Sequence, residues 1–292
     1  MMPHREPRQA KITVRGIELS YFEWGPDDAQ PVLMVHATGF HARCWDETVR
    51  ELGDGYRVVA IDMRGHGRSA KVAPYDWLQY GEDLTAFVEA LDLREIIGVG
   101  HSMGGHAVTQ AAGRTQDRFQ RLLLVDPTIM AAQAYETWET SRTFSEPSEH
   151  PTARRKNDWV SWEEMYERFK NRDPFRLWRD QVLRDYSRYG VTENPDGSGY
   201  VLCCPPIVEA SIYMGSGDSD IFDLIEKLVI PVLVMRAHKP ETATGEMDFA
   251  ASPTWEGLAG AFPNGRDMHL PELTHFIPMQ RPDLVAEQIR TG

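Results

Sequence analysis

Residues 100–104 read Gly-His-Ser-Met-Gly and place a nucleophilic side chain between two glycines. An apolar run at residues 95–100 leads into this segment, and a helical pattern begins at Met103. A G-x-S-x-G sequence between a strand and a helix is typical of a strained turn that presents a serine hydroxyl. The glycines permit close backbone contacts, and the helix N-terminus directs its positive end toward an oxyanion. We therefore interpret Ser102 as a nucleophile and not as an ordinary helix N-cap.

A serine hydroxyl needs a base within hydrogen-bond reach and a third group that orients the base. Among ten histidines, His275 is the candidate because it lies between the last predicted strand, residues 266–270, and the last predicted helix, residues 282–290. A side chain there can reach the C-terminal edge of a sheet. Histidine also exchanges protons near neutral pH. Ser102 and His275 together predict nucleophilic catalysis.

The apolar pattern indicates the sheet that must position these residues. Residues 12–24 alternate around Arg15-Gly16 and predict an opening β-hairpin. Continuous apolar runs follow, as is typical of parallel strands buried on both faces. These runs cover residues 32–37, 56–62, 95–100, 121–126 and 231–236, with a weaker run at 266–270. Helical patterns at 76–91, 103–113 and 282–290 complete an α/β fold with a mostly parallel central sheet covered by helices.

Residues 128–216 interrupt this alternation and are rich in Trp, Tyr, Arg and Glu. Their spacing predicts one helix over 161–170, and Asp173-Pro174 predicts the start of a second. We expect a helical cap inserted after the sixth strand, with most of its aromatic residues in a core of its own and a minority facing a substrate. The predicted domains are a loose tail at 1–10, an α/β core at 11–127 and 217–292, and the cap at 128–216.

Four segments in order resemble the α/β-hydrolase fold family over nearly the whole chain. They are residues 35–40 (an H-G-x oxyanion loop), residues 62–69 (a D-x-R-G-x-G-x-S loop), residues 100–104 (the nucleophile elbow) and residues 275–282 (the histidine loop). Ala37 stands where glycine is usual in the first of these loops. In the second, we expect Asp62 and Arg64 to hold loops together by ion pairing. The resemblance implies the α/β-hydrolase fold, with helices on both faces of the sheet.

The resemblance also implies an oxyanion hole formed by the backbone N–H groups of Thr38 and Met103. The acid of the triad lies, in many relatives, a few residues past the seventh strand. Here that stretch offers Glu241 and no aspartate before Asp248. A second location known in this fold is the end of the sixth strand, which is occupied by Asp126. We therefore take Asp126 as the acid, with Glu241 and Asp248 as open alternatives.

The expected reaction is hydrolysis of a carboxylic ester or lactone through an acyl-enzyme at Ser102. Serine at the elbow argues against the epoxide hydrolases and haloalkane dehalogenases of this fold, which carry aspartate there. One alternative is a C–C bond hydrolase acting on a diketone or dienoate, which a fixed positive group for a substrate carboxylate would favour. Another alternative is a ligand receptor of the same fold with slow turnover.

The composition excludes several other classes of protein. The chain has 292 residues, of which 41% are hydrophobic and 26% charged, and its formal net charge of −13 disfavours nucleic acid as a partner. Apolar runs fall short of the roughly 18 residues of a membrane helix, and the polar N-terminus lacks a secretory core. Three cysteines without a CxxC pair indicate neither a disulfide framework nor a zinc site. We expect a cytoplasmic enzyme with a small-molecule substrate and no cofactor or metal, with a homodimer left open.

Overall fold

The computed structural model describes residues 6–137, 143–217, 219–239 and 250–292. Its strands, numbered along the chain, are β1 (Arg8–Val14), β2 (Ile17–Trp24), β3 (Gln30–Val35), β4 (Tyr56–Ile61), β5 (Ile96–His101), β6 (Phe119–Val125), β7 (Asp158–Trp159), β8 (Val191–Glu193), β9 (Tyr200–Leu202), β10 (Val232–Arg236) and β11 (Gly265–His269). Eight of them form one sheet in the order β1-β2-β4-β3-β5-β6-β10-β11. Strands β7, β9 and β8 form a second, small sheet.

The α-helices cover the sheet and connect its strands. They are α1 (Asp46–Leu52), α2 (Trp77–Ala90), α3 (Met103–Arg114), α4 (Ala132–Glu136), α5 (Trp162–Phe169), α6 (Asp180–Tyr189), α7 (Pro206–Met214), α8 (Phe222–Ile225), α9 (Leu258–Ala261), α10 (Ile277–Gln280) and α11 (Pro282–Thr291). The helices predicted over 76–91, 103–113 and 282–290 are confirmed as α2, α3 and α11. Among the residues that the structure describes, no helix is long and apolar enough to cross a lipid bilayer.

The sheet is antiparallel at one edge and parallel elsewhere. The hairpin predicted for residues 12–24 is confirmed, since β1 pairs antiparallel with β2 and Val14 faces Ile17 at the turn. Strand β2 pairs antiparallel with β4, and the pairs from β4 to β11 are parallel. The C-terminal ends of β3, β5, β6 and β10 therefore meet at one edge of the sheet, where loops of such folds carry function.

Strand β3 shows why its apolar run is continuous. Val32, Leu33, Met34 and Val35 are all fully buried. Leu33 and Val35 pack with α2 and α3 on one face, whereas Val32 and Met34 pack with α1 and α11 on the other. Burial of such a side chain contributes about 1.5–3 kcal/mol, so both faces of the strand stabilise the fold. The predicted α/β fold class is confirmed.

Residues 128–216, called the insert below, lie between β6 and β10. The helix predicted over 161–170 is confirmed as α5, and the side chain of Ser161 caps its N-terminus by accepting from the Glu164 N–H. The prediction that a second helix starts at Asp173-Pro174 is wrong. A short 3₁₀ turn follows these residues, and α6 begins only at Asp180. The chain is extended at Trp178 and Arg179, between turn and helix, and the Arg179 N–H donates to the carbonyl of Met279 in the core. The division of the chain into core and cap domains stays a prediction.

Candidate active site

Ser102 lies on a sharp turn between β5 and α3. Its backbone angles, φ 56° and ψ −121°, lie outside the regions that residues with a side chain favour. Such a conformation costs on the order of 1–3 kcal/mol and persists only where its surroundings impose it. A Cβ on Gly100 would overlap the carbonyl of Gly104, and one on Gly104 would overlap the carbonyl of Val35. The glycines of the motif are thus required by close backbone contacts, and the turn lifts Ser102 above the sheet.

The side chain of Ser102 lies within hydrogen-bond distance of Thr128, a residue that the sequence did not point to. Ser102 Oγ lies 3.0 Å from Thr128 Oγ1, and the Thr128 N–H donates to the Ser102 carbonyl at 3.1 Å. Ser102 is only 8% exposed, yet it lines a cavity together with Thr128. Thr128 comes two residues after Asp126, in a segment without any catalytic sequence pattern. One short loop therefore contacts both the nucleophile and the predicted base.

Asp126 and His275 form a short hydrogen bond. Asp126 directly follows β6, with its side chain fully buried, and its Oδ2 lies 2.6 Å from His275 Nδ1. A carboxylate only accepts, so Nδ1 carries the hydrogen and Nε2 is left to accept a proton. Burial works to raise the pKa of Asp126, but hydrogen bonds from His275 and Ser252 outweigh it and hold the pKa below its ordinary value. Asp126 is thus a carboxylate that orients the imidazole.

The other oxygen of Asp126 is held by three donors. Its Oδ1 accepts from the Ala237 N–H at 2.8 Å, the Ser252 hydroxyl at 2.6 Å and the Thr254 hydroxyl at 3.3 Å. These donors come from the segment after β10, where the sequence left Glu241 and Asp248 as alternative acids. Residues 240–249 lie outside the described part of the chain, so both alternatives do too.

The backbone of His275 is fixed from two sides. Its N–H donates to the carbonyl of Ala250 at 2.7 Å, and its own carbonyl accepts from His101 Nε2 at 2.8 Å. Burial, together with the nearby His275, lowers the pKa of His101 to about 3. His101 is therefore neutral at pH 7, with its hydrogen on Nε2. It positions the loop that carries His275.

The predicted oxyanion donors are Thr38 and Met103, the residue that follows Ser102 in the chain. Met103 begins α3, so its N–H belongs to the first turn, which has no acceptor within the helix. Thr38 follows β3 and lines the same cavity as Ser102 and His275. Met103 is thus adjacent to the nucleophile in the chain, and Thr38 shares its cavity. Their role as donors stays a prediction.

Two buried histidines hold the loop around Thr38. His36 Nδ1 donates to the Ala37 carbonyl at 2.8 Å, and the Gly39 N–H donates to His66 Nε2 at 3.0 Å. Burial lowers the pKa of both histidines, which keeps their rings neutral and able to make these bonds. Ala37, which stands where glycine is usual, is buried in this loop.

Arg64 and Asp62 of the 62–69 loop connect this loop to neighbouring segments of the chain. Arg64 makes a two-fold ion pair with Asp83 of α2, with Nε and Nη2 at 2.7 and 2.8 Å from the carboxylate oxygens. The loop-holding role predicted for Arg64 is confirmed. Asp62 accepts instead from the N–H groups of Ala42 and Arg68, at 2.7 and 2.8 Å. It holds the loops by hydrogen bonds to the backbone.

A cavity of about 450 Å³ opens above Ser102 and His275. Its size is in the ordinary range for a small-molecule site. Seven aromatic residues from both core and insert line it: Phe40, Trp77, Phe169, Phe175, Tyr186, Tyr213 and Phe276. Arg155 and Glu209 also line it and are paired with each other. The described ranges contain no cluster of three or more His, Cys, Asp or Glu side chains that could hold a metal ion.

Comparison with known proteins identifies the family of the chain. A sequence model of the alpha/beta hydrolase family matches residues 32–288. The chain belongs to this family. Alpha/beta hydrolases are also its structural neighbours: a crystal structure of E-2-(acetamidomethylene)succinate hydrolase superimposes with a TM-score of 0.76 over 97% of both chains, at 19% identity. At that identity the likeness shows the shared fold.

Sequence relatives of this alpha/beta hydrolase differ in activity. Non-heme chloroperoxidase of Burkholderia pyrrocinia is 41% identical over 118 residues, which cover 39% of this chain and 42% of that protein. The chain spans less than half the length of this and the other chloroperoxidase, haloperoxidase and perhydrolase relatives. 3-Oxoadipate enol-lactonase 2 of Acinetobacter baylyi is 24% identical over 241 residues, or 82% of each chain.

Proposed function

We propose that this alpha/beta hydrolase cleaves a carboxylic ester or lactone through an acyl-enzyme formed at Ser102. The observation that carries the proposal is the hydrogen bond of 2.6 Å between Asp126 and His275, in a structure where His275 and Ser102 line one cavity. The bond fixes the hydrogen on Nδ1, which makes Nε2 the proton acceptor for the serine. Nucleophile, base and orienting acid are the parts that acyl transfer requires.

The chemistry begins with proton transfer from Ser102 to His275 Nε2 as Ser102 Oγ attacks the substrate carbonyl. While Ser102 loses its proton, the Thr128 hydroxyl donates a hydrogen bond to Ser102 Oγ and keeps its own hydrogen, which stabilises the attacking oxygen. The carbonyl oxygen gains negative charge and accepts hydrogen bonds from the N–H groups of Thr38 and Met103. One such donor contributes on the order of a hundredfold to a thousandfold in rate in comparable enzymes.

Collapse of the tetrahedral intermediate breaks the bond to the leaving alcohol. His275, now an imidazolium stabilised by Asp126, gives its proton to that alcohol and becomes neutral again. It next takes a proton from a water molecule, which attacks the acyl-enzyme. Ser102 recovers its proton from His275, and the carboxylic acid product leaves. A lactone follows the same steps, with the alcohol and acid remaining in one product.

The charge of the cavity favours ester or lactone cleavage over the C–C hydrolase alternative. That alternative requires a fixed positive group for the substrate carboxylate. Within the described residues, the cationic side chain in the cavity wall is Arg155, and Glu209 pairs with it. Its charge is therefore balanced by the protein itself.

The proposal is tested with p-nitrophenyl esters of increasing acyl length, on the wild type and on Ser102→Ala. Steady turnover by the wild type that is lost in Ser102→Ala supports the proposed hydrolysis through Ser102. Ser145→Ala, at an exposed serine of the insert, is the matched control and should behave as the wild type. Full activity in Ser102→Ala would contradict the proposal, and tight ligand binding without turnover would favour the receptor alternative.

A further inference from the structure

An ion pair lies in the aromatic wall of the cavity. Arg155 follows the 3₁₀ turn Pro151–Arg154, and Glu209 lies on α7. Arg155 Nη1 donates to Glu209 Oε2, and Arg155 Nη2 donates to the Tyr186 hydroxyl at 3.0 Å. The Arg155 side chain is 28% exposed and that of Glu209 only 5%, although both line the cavity. Part of the Arg155 side chain thus stays accessible while Glu209 balances its charge.

The carboxylate of Glu209 lies against the loop that carries the candidate oxyanion donor. A Cβ on Gly39 would overlap Glu209 Oε1, so the carboxylate occupies the space that the missing side chain leaves free. Gly39 follows Thr38 directly. The ion pair is therefore located at the side of the cavity where charge develops during the reaction.

Charge in such an environment must be balanced. An isolated ion in an apolar wall loses several kcal/mol of hydration, which a well-placed partner restores. Burial opposes the charge of Arg155, but Tyr186 and Glu209 outweigh it and raise the pKa of the guanidinium above its ordinary value. Arg155 is thus a permanent cation. A substrate carboxylate reaching it would compete with Glu209 and place two carboxylates side by side.

We infer that Glu209 sets the charge specificity of the cavity: by neutralising Arg155, it directs the enzyme to esters without a carboxylate in the bound acyl group. A neutral amide or hydroxyl of the substrate can still accept a hydrogen bond from Arg155. Without the charge of Glu209, Arg155 becomes a receptor for a substrate carboxylate. This inference rests on the proposed ester hydrolysis and adds the class of substrate.

The test compares two esters of equal shape, the mono-p-nitrophenyl ester of suberic acid and the p-nitrophenyl ester of suberamic acid, whose chains are too long for the terminal group to attack its own ester. They differ only in a terminal carboxylate or carboxamide. The wild type should favour the carboxamide in kcat/KM by about tenfold or more, because the carboxylate meets a balanced ion pair. Glu209→Gln should reverse the preference. Glu167→Gln removes the same charge from an exposed site on α5 and should keep the wild-type ratio.

Two results would overturn the inference: a wild type that accepts the carboxylate ester as well as the carboxamide, or a Glu209→Gln variant that changes both esters equally. If Glu209→Gln does not fold, the double variant Arg155→Gln/Glu209→Gln, which removes both charges, should keep the carboxamide preference.

A binding experiment separates this inference from the proposed hydrolysis. Calorimetry on Ser102→Ala, with phenylbutyrate and its primary amide as probes, requires no turnover. The amide should bind more tightly, and adding Glu209→Gln should reverse that order. Equal binding of both probes contradicts the charge specificity, whereas ester cleavage that persists in Ser102→Ala contradicts the function.

Discussion

Replacing Asp126 by asparagine should lower kcat by about four orders of magnitude while the protein stays folded. The reason lies in the three donors to Oδ1, from Ala237, Ser252 and Thr254. These donors require an oxygen, so the amide oxygen of the new side chain takes that place. Its NH₂ group then points at His275 Nδ1, at the position where Oδ2 now lies 2.6 Å away.

Two donors cannot face each other, so the imidazole of His275 must change its tautomer. Its hydrogen moves to Nε2, and Nδ1 accepts from the amide. Nε2 then cannot take the proton of Ser102, which accounts for the size of the loss in kcat. The bonds to Oδ1 remain, so the free energy of unfolding should fall by only about 1–3 kcal/mol, as for the loss of a charged hydrogen bond.

The assay is steady-state hydrolysis of a p-nitrophenyl ester, with thermal unfolding as the check on folding. Asp267→Asn is the matched control, since Asp267 lies on the neighbouring strand β11 and pairs with Arg236 outside the site. A kcat for Asp126→Asn within about tenfold of the wild type would refute the tautomer argument. A collapse of activity in Glu241→Gln or Asp248→Asn instead would transfer the role of the acid to that residue.

Further predictions concern Thr128 and acid stability. Thr128→Val should lower kcat by about tenfold because it removes one hydrogen bond to Ser102, whereas Thr128→Ser keeps the hydroxyl and should keep near wild-type kcat. Equal losses of kcat in both variants would indicate that Thr128 acts through packing instead. Burial lowers the pKa of three histidines to about 3 or 4, namely His41, His101 and His106. At pH 5 these three histidines bind a proton in the unfolded chain only, so each lowers the free energy of unfolding by about 2 kcal/mol. Burial raises the pKa of two carboxyls to about 6, namely Asp46 and Asp185. They offset about 1 kcal/mol each at that pH, so urea unfolding at pH 5 should show a net loss of roughly 4 kcal/mol from these five groups relative to pH 7, and equal stability would contradict it.

The sequence was most informative where a feature depends on neighbouring residues. Four adjacent apolar residues in a strand must pack on both faces of a sheet, so a sheet covered on both sides followed from the run, and the alternation of such runs with helical patterns made it mostly parallel. The turn at Ser102 needs glycine at fixed positions within the same segment, and those glycines are visible in the sequence. Both features are determined locally.

Features that depend on distant pairs could not be predicted. Arg155 and Glu209 are 54 positions apart, and nothing in either segment indicates that they meet. The residue before α6, Arg179, donates its N–H to the carbonyl of Met279, 100 positions further along the chain. The strands β7, β8 and β9 have only two or three residues each, too few for a periodic pattern.

Covalent labelling with a fluorophosphonate tests the central claim most directly. Mass spectrometry of the labelled and digested protein should find one phosphonyl group on the peptide that contains Ser102. Esterase activity should fall in proportion to labelling, and Ser102→Ala should remain unlabelled. Activity that survives complete modification of Ser102, or loss of activity with the label on another residue, would contradict the account.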